Sequence, residues 1–357
     1  MIRIGIIGAG SMAQIHAEEL DKLAECSVVA ACDLNQERLA RFADKHRIRH
    51  VFSSAEEMLN SDLINAVTIV TPDASHKTLT LQALKAGMHV LCEKPLALNA
   101  KDAEELVYAA KQSGCINMVN LSYRNAASLQ MAHQLVAEGQ LGKLRHIEAS
   151  YQQSWLVSSL WGDWRSEESW LWRLSSAHGS KGVLGDVGVH ILDFVSYPAG
   201  NIASVHCHLA TFNKAKGDRI GDYHLDANDS ALITARMQNG AMATIHATRW
   251  ATGRINDLKL CLYGDQGALK LTLQLDQEWN KLDVCLGENV NEAVWETRTC
   301  PDIANIYQRF VTSILTGKQD LPDFSAGLNV QRVLDACEAS AQSDRTVTIQ
   351  EEAECSS

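Results

Sequence analysis

Gly8-Ala9-Gly10-Ser11-Met12-Ala13 closes a short apolar run and opens a helical stretch, the layout of a phosphate-cradling turn. The first glycine permits the tight turn and the second lets backbone approach a pyrophosphate. The small Ala13 lets helix and strand pack closely. The helix start, at Ser11 and Met12, then offers free N–H groups and a positive dipole end to phosphates. Asp33 stands 20 residues beyond Ala13 at the end of the next apolar run, placed to accept hydrogen bonds from adenosine ribose hydroxyls. A carboxylate there repels a 2′-phosphate, so NAD is favoured over NADP. Arg38 is close enough to meet such a phosphate, but it reads as a side chain on a solvated helix face.

A second set of residues suits proton transfer. Asp186 and His190 are four apart and share one face if helical. A histidine titrating near neutrality is fit to take a hydroxyl proton. Asp186 would hold a substrate hydroxyl or orient His190. Lys94, just past the apolar run 88–92, offers an ammonium to an oxygen that is gaining alkoxide character. Together these are the needs of oxidising a secondary alcohol as hydride leaves for a nicotinamide. The competing readings are a surface lysine and a capped helix start with a packed histidine.

The elements that must position these groups follow from hydrophobic periodicity. Apolar runs at 2–7, 27–32, 65–70, 88–92 and 116–120 read as strands, with helical stretches at 14–25, 35–45, 74–86 and 100–113. Strands this apolar are covered on both faces, which implies a parallel sheet wrapped by helices. Beyond residue 121 the predicted strands lengthen (144–154, 201–212, 230–237, 240–249, 257–263, 267–275) and are separated by turn signals such as Gln238-Asn239-Gly240. The expected fold class is an α/β Rossmann domain with a doubly wound parallel sheet, followed by an α+β domain with a large, mostly antiparallel sheet. The expected domains are 1–121, which binds the dinucleotide; 122–324, for substrate binding and oligomerisation; and 325–349, a helical segment returning to the first domain.

Thr71-Pro72-Asp73-Ala74-Ser75-His76 follows the third of these strands, and Cys92-Glu93-Lys94-Pro95 follows the fourth. With the glycine turn and Gly185-Asp186-Val187-Gly188-Val189-His190-Ile191-Leu192-Asp193, they resemble the glucose–fructose oxidoreductase / inositol dehydrogenase / rhizopine-catabolism (Gfo/Idh/MocA) family. The resemblance runs from residue 2 to about 349. It implies a dehydrogenase or reductase in which Lys94, Asp186 and His190 are catalytic, with Lys94 also among the cofactor-binding residues. It further implies a loop of Thr71, Pro72 and His76 flanking the cofactor. Glu93 is read as contacting the nicotinamide region or fixing the turn, and His76 equally as only a helix-start residue. Tyr123 and Arg124 lie where the family's chain passes cofactor and substrate, with a structural ion pair as the other reading of Arg124.

The 357 residues carry a net charge of −11, with 46% hydrophobic and 21% charged residues, which suits a soluble globular protein and argues against a nucleic-acid partner. The N-terminal sequence lacks the layout of a cleavable signal, and no apolar run reaches the roughly 18 residues that span a bilayer. Ten scattered cysteines without CxxC spacing fit a reduced, cytoplasmic protein. His206 and His208 alternate along a strand with no third ligand evident, so they read as a solvated strand face and no metal is expected.

Eight Trp against six Phe is unusual, and Trp155, Trp161, Trp164, Trp170 and Trp172 crowd one segment. A platform for a carbohydrate or cyclitol is one reading, with Trp164, Trp172 and Arg173 as its contacts. Core filling and a subunit contact are the others. Glu167 and Glu168 are possible partners of Arg165 and Arg173. The function expected is hydride transfer between NAD, or NADP, and a ring hydroxyl or ketone of a sugar, glycoside, sugar acid or inositol. A homodimer or homotetramer is expected, because the broad sheet has a face to cover. The alternatives are an NAD-dependent glycosidase using transient oxidation, and a non-catalytic sugar or dinucleotide sensor.

Overall fold

A computed structural model describes residues 1–274 and 281–350, with all their side chains but those of 168 and 169. The last residue of the strand expected at 267–275, Cys355 and the Glu168 side chain lie outside the described residues. The chain forms two compact units, Met1–Ser122 with Ala304–Gln331, and Tyr123–Ile303 with Arg332 onward.

The first unit is built on β1 (Ile2–Ile7), β2 (Cys26–Cys32), β3 (His50–Phe52), β4 (Ala66–Ile69), β5 (His89–Cys92) and β6 (Asn117–Val119). All pairs are parallel, in the order β3-β2-β1-β4-β5-β6. Strand order reverses between β1 and β4, and sheets of this kind bind ligands beyond the carboxyl ends of the strands at that point. β3 and the short helix Ala55–Leu59 were not anticipated. Local signals set the helix ends. Asn35 accepts the Arg38 N–H to start Gln36–His46, and Gly114, at φ 64°, stops Ala100–Ser113. The helix Ile306–Thr316, also unanticipated, lays Ile306, Tyr307, Phe310 and Val311 on Ile2, Ile4, Leu91 and Met118. The chain therefore rejoins the first unit before residue 324, the end expected for the second domain.

The second unit holds β7 (Leu144–Gln153) and β8 (Ile202–Ala210), then the ribbon β9 (Arg219–Ile220) and β10 (Tyr223–His224). Next come β11 (Ser230–Met237), β12 (Met242–Thr248), β13 (Asn256–Gly264), β14 (Gly267–Leu273), β15 (Lys281–Leu286), β16 (Glu296–Arg298) and β17 (Val347–Thr348). Nine of these form one sheet in the order β16-β15-β14-β13-β7-β12-β11-β8-β17. β12 and β7 are its one parallel pair. Alternation is clean in β11, where Ala231, Ile233, Ala235 and Met237 are buried while Leu232 is exposed. The helix Val189–Ala199 lies against β7, β12 and β13 and buries Ile191, Leu192, Phe194 and Val195.

Candidate active site

In the first unit, Gly8 takes φ +101°, and a Cβ there would lie 2.7 Å from the Val70 carbonyl oxygen. Around Gly10 the reverse holds: an added Cβ would meet no heavy atom within 4 Å. Gly10 caps the helix Ser11–Asp21 and, having no side chain, makes no side-chain cap bond to its first N–H groups. Ala13 is buried against the sheet with Ile6 and Ala17. The open backbone and the helix end fit a pyrophosphate, which Gly8, Gly10, Ser11 and Met12 would hold, with Asp33 toward the ribose.

Asp33 is braced for that position. Its Oδ2 accepts from the Ala9 N–H at 2.7 Å, and its Oδ1 from the Asn35 N–H at 2.8 Å. Arg38 is not simply solvated as expected. Its guanidinium forks onto both carboxylate oxygens at 3.1 and 2.8 Å while staying half exposed. Burial would raise the pKa of Asp33, but Arg38 and the two N–H donors outweigh it and hold the carboxyl below its usual range.

The loops after β4 and β5 are tied by one side chain. His76 is fully buried, with Nδ1 2.7 Å from the Pro95 carbonyl and Nε2 2.8 Å from the Thr71 carbonyl. Only an imidazolium donates from both nitrogens, since a neutral ring has a single N–H. Burial opposes that charge, but Cys92, Asp73 and the Pro95 carbonyl outweigh it and raise the pKa to about 10. His76 is thus a clamp between the two loops, and it opens the helix His76–Lys85, the helix-start position that is one of its two readings.

Glu93 fixes the turn from which Lys94 departs. Its Oε1 accepts from Asn120 Nδ2 at 2.6 Å and faces His16 Nε2 at 2.9 Å, and its Oε2 takes the Lys94 N–H at 3.2 Å. Burial would raise its pKa. His16, Asn120 and the Lys94 charge win and bring it to about 2. His16 and Asn120 were missed. Helical period points His16 inward, but nothing in the sequence joins it to Glu93.

In the second unit, Asp186 lies in a single π-helical turn, Leu184–Gly188, that runs into the helix Val189–Ala199. Such turns recur at functional sites. Asp186 Oδ2 accepts from Arg249 at 2.9 Å, and Arg173 Nε lies 3.9 Å away. Arg249 is completely buried, sits 4.9 Å over the Trp155 ring and donates to the carbonyls of Arg173 and Gly182. Burial lowers its pKa, with Asp186 opposing. No sequence signal marked Arg249. His190 is half-buried, with the Tyr123 ring edge-on at 4.9 Å. The Tyr123 hydroxyl meets the Tyr151 hydroxyl at 2.6 Å and accepts from Asn256 at 3.1 Å.

Two expected substrate contacts are not available. Arg124 is buried, bonds Asp193 through Nε and NH2 at 2.6–3.2 Å and lies over the Tyr197 ring, so it is the structural ion pair. Trp164 is 2% exposed, donates to the Leu156 carbonyl at 3.2 Å and joins Trp155, Leu171, Leu174 and Leu225 in a core cluster. Trp172 differs: it is 38% exposed, with the Arg173 guanidinium 4.7 Å from its ring centre.

The glycine turn on a reversed parallel sheet marks a dinucleotide-binding protein. Residues 2–121 match a family described as an oxidoreductase family with an NAD-binding Rossmann fold, and residues 129–270 match the GFO/IDH/MocA C-terminal domain. The chain belongs to the Gfo/Idh/MocA family of NAD(P)-dependent oxidoreductases. It is 30% identical over 275 residues to the 1,5-anhydro-D-fructose reductase of Ensifer adhaerens, covering 75% of each chain. With the levoglucosan dehydrogenase of Pseudarthrobacter phenanthrenivorans it shares 26% over 292 residues, 75% of this chain and 73% of that one. The crystal structure of an oxidoreductase domain protein from Kribbella flavida superposes with a TM-score of 0.85 at 29% identity, covering 98% of this chain and 99% of that one.

Proposed function

We propose that the protein oxidises a ring hydroxyl, or reduces the matching ketone, of a sugar, glycoside, sugar acid or inositol. The observation that carries this reading is the His190 neighbourhood: a half-buried imidazole against Tyr123, one turn after an Asp186 pinned by buried Arg249. The curated relatives named above act, by name, on anhydro-sugars, which supports a carbohydrate substrate. Bound NAD or NADP supplies the hydride acceptor. Gly8, Gly10, Ser11 and Met12 hold its phosphates and Asp33 its ribose, with Thr71 and Pro72 along the loop beside it.

His190 takes the hydroxyl proton in oxidation and returns it in reduction. The Lys94 ammonium stabilises negative charge as it develops on a substrate oxygen, from a turn that Glu93 keeps fixed. Asp186 accepts from a neighbouring substrate hydroxyl, with Arg249 preventing its rotation. Trp172 and Arg173 line the substrate. Tyr123 positions His190.

Among the described residues no helix is long and apolar enough to cross a membrane. The nine described cysteines are thiols, in keeping with the cytoplasm. Exposed Leu232 and Met242 on the open sheet face favour a homodimer or homotetramer. Sedimentation at micromolar concentration tests that assembly, and a monomer overturns it. The function is tested by following nicotinamide reduction over cyclitols, aldoses, glycosides and sugar acids with each dinucleotide. Steady NADH or NADPH formation with one class is expected. Free sugar released from a glycoside without net NADH, or dinucleotide binding without turnover on any of them, overturns the reading.

A further inference from the structure

His206 and His208 lack a third ligand in the sequence, and the fold supplies one. Both lie on β8, and a period of two puts their imidazoles on one face, with ring centroids 4.8 Å apart. Cys207 between them is buried on the opposite face beside Cys337. Asp344 follows the helix Phe324–Ser343 in the left-handed conformation, φ 50°, and its Oδ1 reaches 3.4 Å from His206 Nε2. One ligand atom from each of the three residues lies within 4.8 Å of the others. Donors around a tetrahedral zinc ion stand about 3.3 Å apart. Closing the triad onto an ion therefore asks the donor atoms to approach one another by about 1.5 Å at most.

We propose that His206, His208 and Asp344 form a site for one divalent first-row transition ion, with the remaining coordination left to water. Two borderline imidazoles with one hard carboxylate suit Zn²⁺, Ni²⁺ or Cu²⁺, whereas Mg²⁺ and Ca²⁺ want an all-oxygen set. The carboxylate also offsets half of the ion's charge. None of the three residues belongs to those assigned to the reaction, so the ion acts on structure. It joins β8 to the turn leading into β17, a short edge strand that pairs Val347 with Val205 and Thr348 with Ser204.

The test uses the full chain, freed of metal by chelation and titrated with ZnCl₂ by calorimetry and with CoCl₂ by visible absorption. One ion per chain is expected, with slower amide exchange at Val347 and Thr348 in zinc and unchanged turnover. His206→Gln, His208→Gln and Asp344→Asn should each weaken binding by at least about tenfold, the lower end of what even an outer-shell partner costs. Absence of saturable binding overturns the proposal, and so does binding that these variants leave unchanged. Weakening by the histidine variants alone refutes the three-ligand site, because Asp344 would not be a ligand.

Discussion

The glycine turn of the first unit reads, in sequence, as a surface for a ligand, and the tryptophan-rich segment of the second as a carbohydrate platform, core filling or a subunit contact. They fold in opposite ways. At the turn, Gly10 leaves open space above its backbone and the helix N–H groups have no side-chain cap. In the tryptophan segment Trp155 and Trp164 turn inward onto Leu156, Leu171, Leu174 and Leu225, and Trp172 alone keeps more than a third of its surface exposed. Backbone demands are specific: a positive φ at Gly8, and a Val70 carbonyl where a Cβ would sit, leave glycine alone. An indole meets core and ligand equally well, so its presence predicts a large apolar contact without saying with what.

The largest test of that contrast is Trp164→Ala. Removing a fully buried indole should cost about 3–5 kcal/mol in denaturant unfolding of the second unit. The KM of the folded fraction should stay as it is. Trp172→Ala should do the reverse, with little change in stability and a raised substrate KM. A stable Trp164→Ala enzyme with impaired substrate binding would erase the distinction. Next in size, Lys94→Ala should lower kcat by about two powers of ten, the scale of losing one preorganised charge stabiliser. Dinucleotide affinity, measured by fluorescence titration, should change far less than kcat. An unchanged kcat would remove Lys94 from the chemistry.

What the sequence made legible follows the same physics. Parallel strands buried on both faces announce themselves as apolar runs, and β1, β2, β4, β5 and β6 lie within a residue or two of their expected bounds. β3 and β17 do not: two of the three β3 residues are exposed, so it makes no apolar run, and the two-residue β17 is too short to show a period. Glu93 and Lys94 were visible through their tripeptide. The partners His16 and Asn120 are 77 and 27 residues from Glu93 and carry no mark of one another. Arg249 was hidden for the same reason: a buried arginine is intelligible only once Asp186 is seen beside it. Asp344 became a neighbour of His206 through a helix end that no local pattern reveals.

His76 supplies a pH-dependent test within the first unit. Its folded pKa is raised from 6.5 to about 10, so its protonated form is favoured by folding. The stability it contributes is complete below pH 6.5 and is lost as pH rises through about 10. His76→Gln keeps one N–H donor and removes the titration. Denaturant midpoints should therefore fall more steeply with rising pH in the wild-type chain than in the variant. Parallel profiles would show that the ring is neutral and that one of its two carbonyl contacts is not a hydrogen bond.

The smallest expected effect concerns Arg38, whose fork on Asp33 the sequence did not reveal. With NAD, Asp33 would face a ribose hydroxyl and need to accept, while Arg38 steadies the carboxylate. With NADP the same half-exposed guanidinium can turn from Asp33 to the 2′-phosphate and offset the repulsion from the carboxylate. Arg38→Ala should then leave KM for NAD within about twofold. It should raise KM for NADP about fivefold, corresponding to the roughly 1 kcal/mol at the upper end for an exposed ion pair. The ratio of kcat/KM for the two dinucleotides is the measurement. If that ratio does not move, Arg38 serves Asp33 alone. The nucleotide turn would then owe its selectivity to the carboxylate and backbone, the features that were plain in the sequence.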